Sequence, residues 1–226
     1  MRKPLAFLLL AIAIACAPQQ GKIAVAPPVN TAETDIASDA AADTLLVNVQ
    51  SLDPTIVVDL RYATANNFTG APLPGYYANR AYLRREAASA LVSVQHDLRS
   101  RGLALKVFDA YRPVRATLAM VDWTERVHRT DLLKDGYIAS RSRHNLGLAI
   151  DLTLIALTTG QELEMGTAFD TFSAEAHTAN ASGLAAVNRQ KLKAAMEAEG
   201  FQNYDQEWWH YTFNAPTPLR FDRPIR

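Results

Sequence analysis

The chain has 226 residues, 49% of them apolar, enough to bury one sizeable core as a single domain. Its 23 basic and 23 acidic residues cancel and form no basic stripe, which argues against nucleic acid as a partner. The one cysteine, Cys16, excludes an intrachain disulfide framework and a cysteine-rich zinc site, so any metal must be held by histidine and carboxylate.

In chain order, Arg2 and Lys3 precede an apolar run over residues 5–15, well short of the ~20 residues needed to span a bilayer. This is the pattern of an export signal. Ala13-Ile14-Ala15-Cys16 resembles a bacterial lipoprotein box, which implies lipidation at Cys16, a lipid anchor to the membrane and a periplasmic location. Simple cleavage at Ala15-Cys16-Ala17 is the alternative, and it leaves Pro18 just behind the cut. Residues 16–43 are rich in Ala, Pro, Thr, Gln and Asp without a sustained period and read as a disordered tether. The folded domain is then 44–226.

Residues 45–49 and 55–60 are β-rich and predict two strands around an Asp53-Pro54 turn. Apolar residues at helical spacing (Ala87, Ala90, Leu91, Val94, Leu98) predict a helix over 84–101, stopped by Gly102. A strand over 103–108 leads into Asp109-Ala-Tyr-Arg-Pro113, and Pro113 should open a helix reaching about His128. Residues 148–157 form a strand, 160–182 a loop-rich stretch, 188–199 a helix with Asn188 as its cap, and 209–213 a last strand. Strands and helices mix without strict βαβ alternation, so the class is α+β.

Chemistry concentrates in two places. Asp151 interrupts an apolar run, where a charged carboxylate is costly unless paired or bound to metal. His144 precedes it by an odd number of residues, so on a flat strand the two would face apart; His144 must sit on a bend, for which Gly147 is the natural place. Glu207 and His210 are also an odd number apart, so one of them should lie in the approach to the last strand rather than in it. Two imidazoles, a buried carboxylate and a further carboxylate are the parts of a catalytic zinc site: His144, Asp151 and His210 as ligands, Glu207 as general base. Taken singly, each histidine is more often a core or surface residue; the conjunction carries the reading. His96, His128 and His177 are read as non-ligands, and Trp208 and Trp209 as packing residues.

Ser142-Arg-His144-x-x-Gly147-x-Ala149-x-Asp151, followed by Glu207-x-Trp209-His210, resembles the signature of the zinc D-Ala-D-Ala dipeptidases, the VanX-like branch of a wider group that includes D,D-carboxypeptidases. Arg61-Tyr-Ala-Thr with Asn67-Phe-Thr-Gly70, Asp109-Ala-Tyr-Arg-Pro113 and Met165-Gly-Thr-Ala-Phe-Asp170 point to the dipeptidase branch. The resemblance implies one compact domain with a central, mostly antiparallel sheet flanked by helices, and one Zn2+ per chain. It implies Arg112 as the oxyanion stabiliser, and Tyr62 and Asp170 as contacts of the substrate ammonium. Ser142 would lie in the substrate pocket, and Asp109 is placed with the substrate-binding set as the residue that orients Arg112. The expected reaction is hydrolysis of free D-Ala-D-Ala in cell-wall dipeptide turnover. The rivals are a D,D-carboxypeptidase acting on peptidoglycan stem peptides, which needs a site open on the amine side, and a non-catalytic peptidoglycan-binding module, against which Glu207 argues.

Overall fold

The computed structural model describes residues 36–216 and 219–226. The expected export signal, Cys16 and most of the expected tether lie outside the described residues.

The folded body begins earlier than composition indicated. Helix α1 (Asp39–Leu45) is capped by Ser38 and buries Ala42, so residues 36–43 are not tether. Its anchors come from the far end of the chain: the Ala37 N–H donates to the Arg220 carbonyl at 2.8 Å, and Asp43 pairs with Arg223. The two strands expected next are cut short. After β1 (Leu46–Asn48), the Asn48 side chain accepts the Gln50 N–H and turns the chain into α2 (Val49–Leu52), and β2 is only Val57–Val58. β3 (Tyr82–Arg84), unanticipated, pairs antiparallel with β1 in a small sheet.

Helix α3 (Arg85–Ser100) follows its periodicity, burying Ala87, Leu91, Val94 and Leu98. It feeds β4 (Leu103–Asp109) through Gly102, whose φ of 76° suits a residue without a Cβ. α4 (Val114–Arg126) starts behind Pro113 as read, and α5 (Asp131–Lys134) follows. Then come a 3-10 turn (Arg143–Leu146), β5 (Ala149–Ala156), α6 (Gly183–Ala198), β6 (Phe201–Tyr204) and β7 (Glu207–Phe213). α6 starts well before Asn188, which is no cap: it is buried mid-helix and donates to the Glu164 carbonyl at 2.9 Å. β6 is a further unanticipated strand.

The main sheet runs β2-β4-β5-β7-β6, and only the β2–β4 pair is parallel. This is the α+β, mostly antiparallel architecture expected. α3 and α6 pack against each other and against the sheet. β5 lies at its centre and is buried from Ala149 to Ile155, so the polar side chains of Asp151 and Thr153 are carried into the interior by their neighbours.

Candidate active site

Register places the first two groups. Asp151 on β5 pairs directly with His210 on β7, and on its other side faces Asp109 of β4, beside a bulge at Phe108. Cross-strand partners sit within side-chain reach, so the sheet itself brings Asp151 Oδ1 to 2.9 Å from His210 Nδ1. His144 comes from the 3-10 turn just before β5. Gly147 ends that turn in the left-handed region at φ 65°, and a Cβ there would stand 2.5 Å from Leu46 Cδ2. The bend read from the sequence is therefore enforced both by φ and by space. Asn145 fixes the turn from inside: fully buried, it donates to the Arg112 carbonyl and to Thr117 Oγ1, both at 2.9 Å, while its oxygen accepts the Ser142 N–H.

Glu207 and His210 both lie in β7, contrary to the expectation that one would precede the strand. The pairing with β6 jumps from Asn203↔Tyr211 to Tyr204↔Glu207, and this irregularity breaks the strict alternation of faces. Asn203 spans the break. Its amide donates to the carbonyls of Glu207 at 3.2 Å and His210 at 3.0 Å, and its oxygen accepts from Thr178 Oγ1 at 2.6 Å. Neither Asn145 nor Asn203 was singled out in the sequence, because their roles lie in backbone groups that only the fold brings to them.

The three ligand atoms lie within 4.8 Å of one another. His144 Nε2 stands 3.1 Å from His210 Nδ1 and 3.4 Å from Asp151 Oδ1. Ligands held tetrahedrally at ~2.0–2.1 Å from a zinc ion stand about 3.3 Å from each other, so the donor set fits. The His144 Nδ1–H donates to the Ala110 carbonyl at 2.6 Å, which leaves the Nε2 lone pair facing the centre, as a metal ligand requires. Among the described residues this is the metal-capable group found, and His96, His128 and His177 stand outside it.

Arg112 and Glu207 face the same pocket, of about 360 Å3. The Arg112 guanidinium is gripped by Asp109, at 2.9 Å through Nε and 2.8 Å through Nη2, and lies 5.0 Å from the Tyr62 ring centre. Asp109 is wholly buried behind it, takes a 2.6 Å bond from Tyr76, and does not line the pocket. It therefore orients Arg112 rather than binding substrate. Glu207 Oε2 lies 3.8 Å from His210 Nδ1. Burial, then the Asp151 and Asp170 charges, push the Glu207 carboxyl well above the ordinary range, and a dication beside it would oppose that shift. Burial also disfavours ionisation of Asp151, but the His144 and His210 imidazoles outweigh it and hold that carboxyl low.

The opposite wall is made of loops. Asp170 is half-buried, with its backbone in the left-handed region at φ 60°, and it accepts the Tyr62 hydroxyl at 3.0 Å. Desolvation, then the Asp151 charge, push its carboxyl up to about 8. Ser142 lines the pocket and accepts the His144 N–H at 3.2 Å, which leaves its own proton to donate. Trp208 and Trp209 are buried, as their packing role requires.

A two-histidine, one-aspartate centre with an adjacent carboxylate and guanidinium, set in this α+β sheet, defines a metal-dependent peptidase. The chain belongs to the D-ala-D-ala dipeptidase family, whose model matches residues 42–221. It is 38% identical over 186 residues to a D-alanyl-D-alanine dipeptidase of Enterococcus faecium, covering 74% of this chain and 92% of that one. To the D-alanyl-D-alanine dipeptidase of Escherichia coli it is 33% identical over 184 residues, covering 80% and 91%. A vancomycin-resistance D,D-pentapeptidase solved in complex with Zn(II) is 17% identical, with a TM-score of 0.37, over 70% of this chain and 86% of that chain.

Proposed function

We propose that this enzyme hydrolyses free D-alanyl-D-alanine to two molecules of D-alanine, with one Zn2+ held by His144, Asp151 and His210. The observation that carries the proposal is the convergence of those three donors with Glu207 and Arg112 on one small pocket, whose far wall presents Asp170. Zinc, when bound, supplies a Lewis acid for the scissile carbonyl and acidifies water toward a pKa of ~7. Glu207 takes the proton from the attacking water and passes it to the leaving amine. Arg112, fixed by Asp109, faces the negative charge that develops on the carbonyl oxygen. Asp170, steadied by Tyr62, pairs with the substrate ammonium, and the Ser142 hydroxyl donates to a polar group of the substrate. A pocket near the small end of the ~300–1,000 Å3 range of ligand sites suits a dipeptide.

The test is D-alanine release from D-Ala-D-Ala by the zinc-loaded protein and by Glu207→Gln. The variant should retain metal and lose about 10²–10⁴-fold in kcat. Unchanged turnover in Glu207→Gln sinks the mechanism, and no turnover in the unsubstituted enzyme sinks the substrate assignment. We also propose export and lipid anchoring at Cys16, which puts the reaction where wall-derived dipeptide is recycled or scavenged. Loss of labelled-palmitate incorporation in Cys16→Ser checks that reading, and labelling that persists in the variant contradicts it.

A further inference from the structure

Beyond Asp170 lies a second cavity of about 790 Å3, a partly open chamber whose rim carries the exposed Asn66 and Glu162. Phe68 and Asp170 line both cavities. Residues that face both cavities form the wall between them. The Phe68 ring is wedged in place: its centre lies 4.9 Å from Trp123 and 5.0 Å from Phe172, both edge-on, and 6.1 Å from Tyr62. Tyr62 in turn bonds Asp170, so the aromatic wedge and the carboxylate form one continuous septum.

The chamber has polar groups of its own. Thr153 lines it, and lies two residues along β5 from Asp151, hence on the same face of the strand. Its hydroxyl is buried and makes no hydrogen bond among the described residues. Buried polar atoms are rarely left in that state, and this one lines a space large enough for several peptide units. Arg61 and Glu162, 3.6 Å apart, also line the chamber.

We propose that Phe68 is a specificity-determining residue, whose ring closes the amine side of the catalytic pocket against N-terminally extended peptides ending in D-Ala-D-Ala. The extra residues of such peptides would otherwise run into the chamber behind it. The inference rests on the dipeptidase reading, because that reading places the substrate amine at Asp170. A residue joined to that amine through an amide must then pass the plane that Phe68 fills. Trp123, Phe172 and Tyr62 pack edge-on around the ring and hold it in that plane.

The experiment compares D-Ala-D-Ala with N-acetyl-D-Ala-D-Ala on the full enzyme, Phe68→Ala and Phe68→Leu, with thermal melts to confirm folding. The unsubstituted enzyme should act on the free dipeptide and be nearly inert on the acetylated one. Phe68→Ala should gain about 10-fold or more on the acetylated peptide while keeping free-dipeptide turnover within about 10-fold, and Phe68→Leu should fall between. If Phe68→Ala does not fold, the smaller gain in Phe68→Leu decides the matter alone. A folded variant that still cleaves the free dipeptide yet gains nothing on the acetylated one overturns the proposal, as does an unsubstituted enzyme that cleaves both equally. Failure of the unsubstituted enzyme on the free dipeptide strikes the proposed function first, and is thereby distinguished from failure of the septum.

Discussion

The two sides of the catalytic pocket are built by different means. The floor carries Asp151, His210 and Glu207 on β5 and β7, with His144 on the 3-10 turn before β5 and Arg112 on the connection that follows β4, and ligand spacing on the strands follows from register and one irregularity in pairing. The wall, with Tyr62 on a 3-10 turn (Arg61–Ala63) and Phe68, Asp170 and Phe172 on loops, is tied together by side chains that bond its backbone carbonyls. Asn67 donates to the carbonyls of Thr64 and Ala71, and the buried Arg189 donates to those of Met165, Glu175 and His177. A buried guanidinium bonded to three carbonyls acts as a tie for an otherwise irregular segment. Most of the reacting groups are thus set on the sheet or on turns joined directly to its strands, while the wall is built from segments that can vary without disturbing them.

If that division holds, damage to the floor should destroy turnover and damage to the wall should redirect or weaken it. Chelation of the metal, or His144→Ala, should take activity to background with the far-ultraviolet circular dichroism spectrum retained; zinc should rescue the chelated enzyme and not the variant. Arg112→Lys should cost about 10²–10³-fold in kcat, because a lysine cannot keep both the Asp109 grip and a planar face toward the oxyanion. Steady-state kinetics on metal-loaded protein would show it.

Asp170→Asn belongs to the wall. It should cost about 10–100-fold in kcat/KM, the scale of a lost charge-assisted hydrogen bond, and chiefly through KM. The pH dependence sharpens this. With its carboxyl pushed up to about 8, Asp170 in the free enzyme is neutral below that pH and able to pair with an ammonium above it. The kcat/KM of the unsubstituted zinc enzyme should therefore rise with pH along a limb centred at or below about 8, because zinc on Asp151 offsets the charge that helps to raise Asp170, and Asp170→Asn should flatten that limb. A limb that survives the substitution would assign it to another group. Smallest in effect on chemistry, Gly147→Ala should destabilise the fold by about 1–3 kcal/mol in a denaturant titration, since alanine at φ 65° is strained and its Cβ collides with Leu46.

How much of this was legible in the sequence differs between the same two regions. The ligands and Glu207 are legible from residue type and spacing, Arg112 only through the family resemblance, and the bend at Gly147 follows from the parity of His144 and Asp151. Parity misled at Glu207 and His210, because the irregularity in β7 is imposed by β6, which its own four residues did not announce. Residues 36–43, most of the first helix among them, read as tether because the partners of Ala37 and Asp43, which are Arg220, Phe221 and Arg223, lie at the other end of the chain. Asp109, grouped with the substrate-binding set as the residue that orients Arg112, keeps the orienting role and is buried away from the pocket.

What the sequence by itself determined was the class of chemistry: few residue types can hold a dication without cysteine, and their order along the chain is a local property. Only the tertiary structure decided how the pocket is closed. Phe68 and Trp123 are ordinary aromatics in isolation, and Asn145 and Asn203 ordinary amides; each acquires its role from partners distant in the chain. Burial, shared walls and backbone satisfaction are properties of space, and no short window of residues contains them.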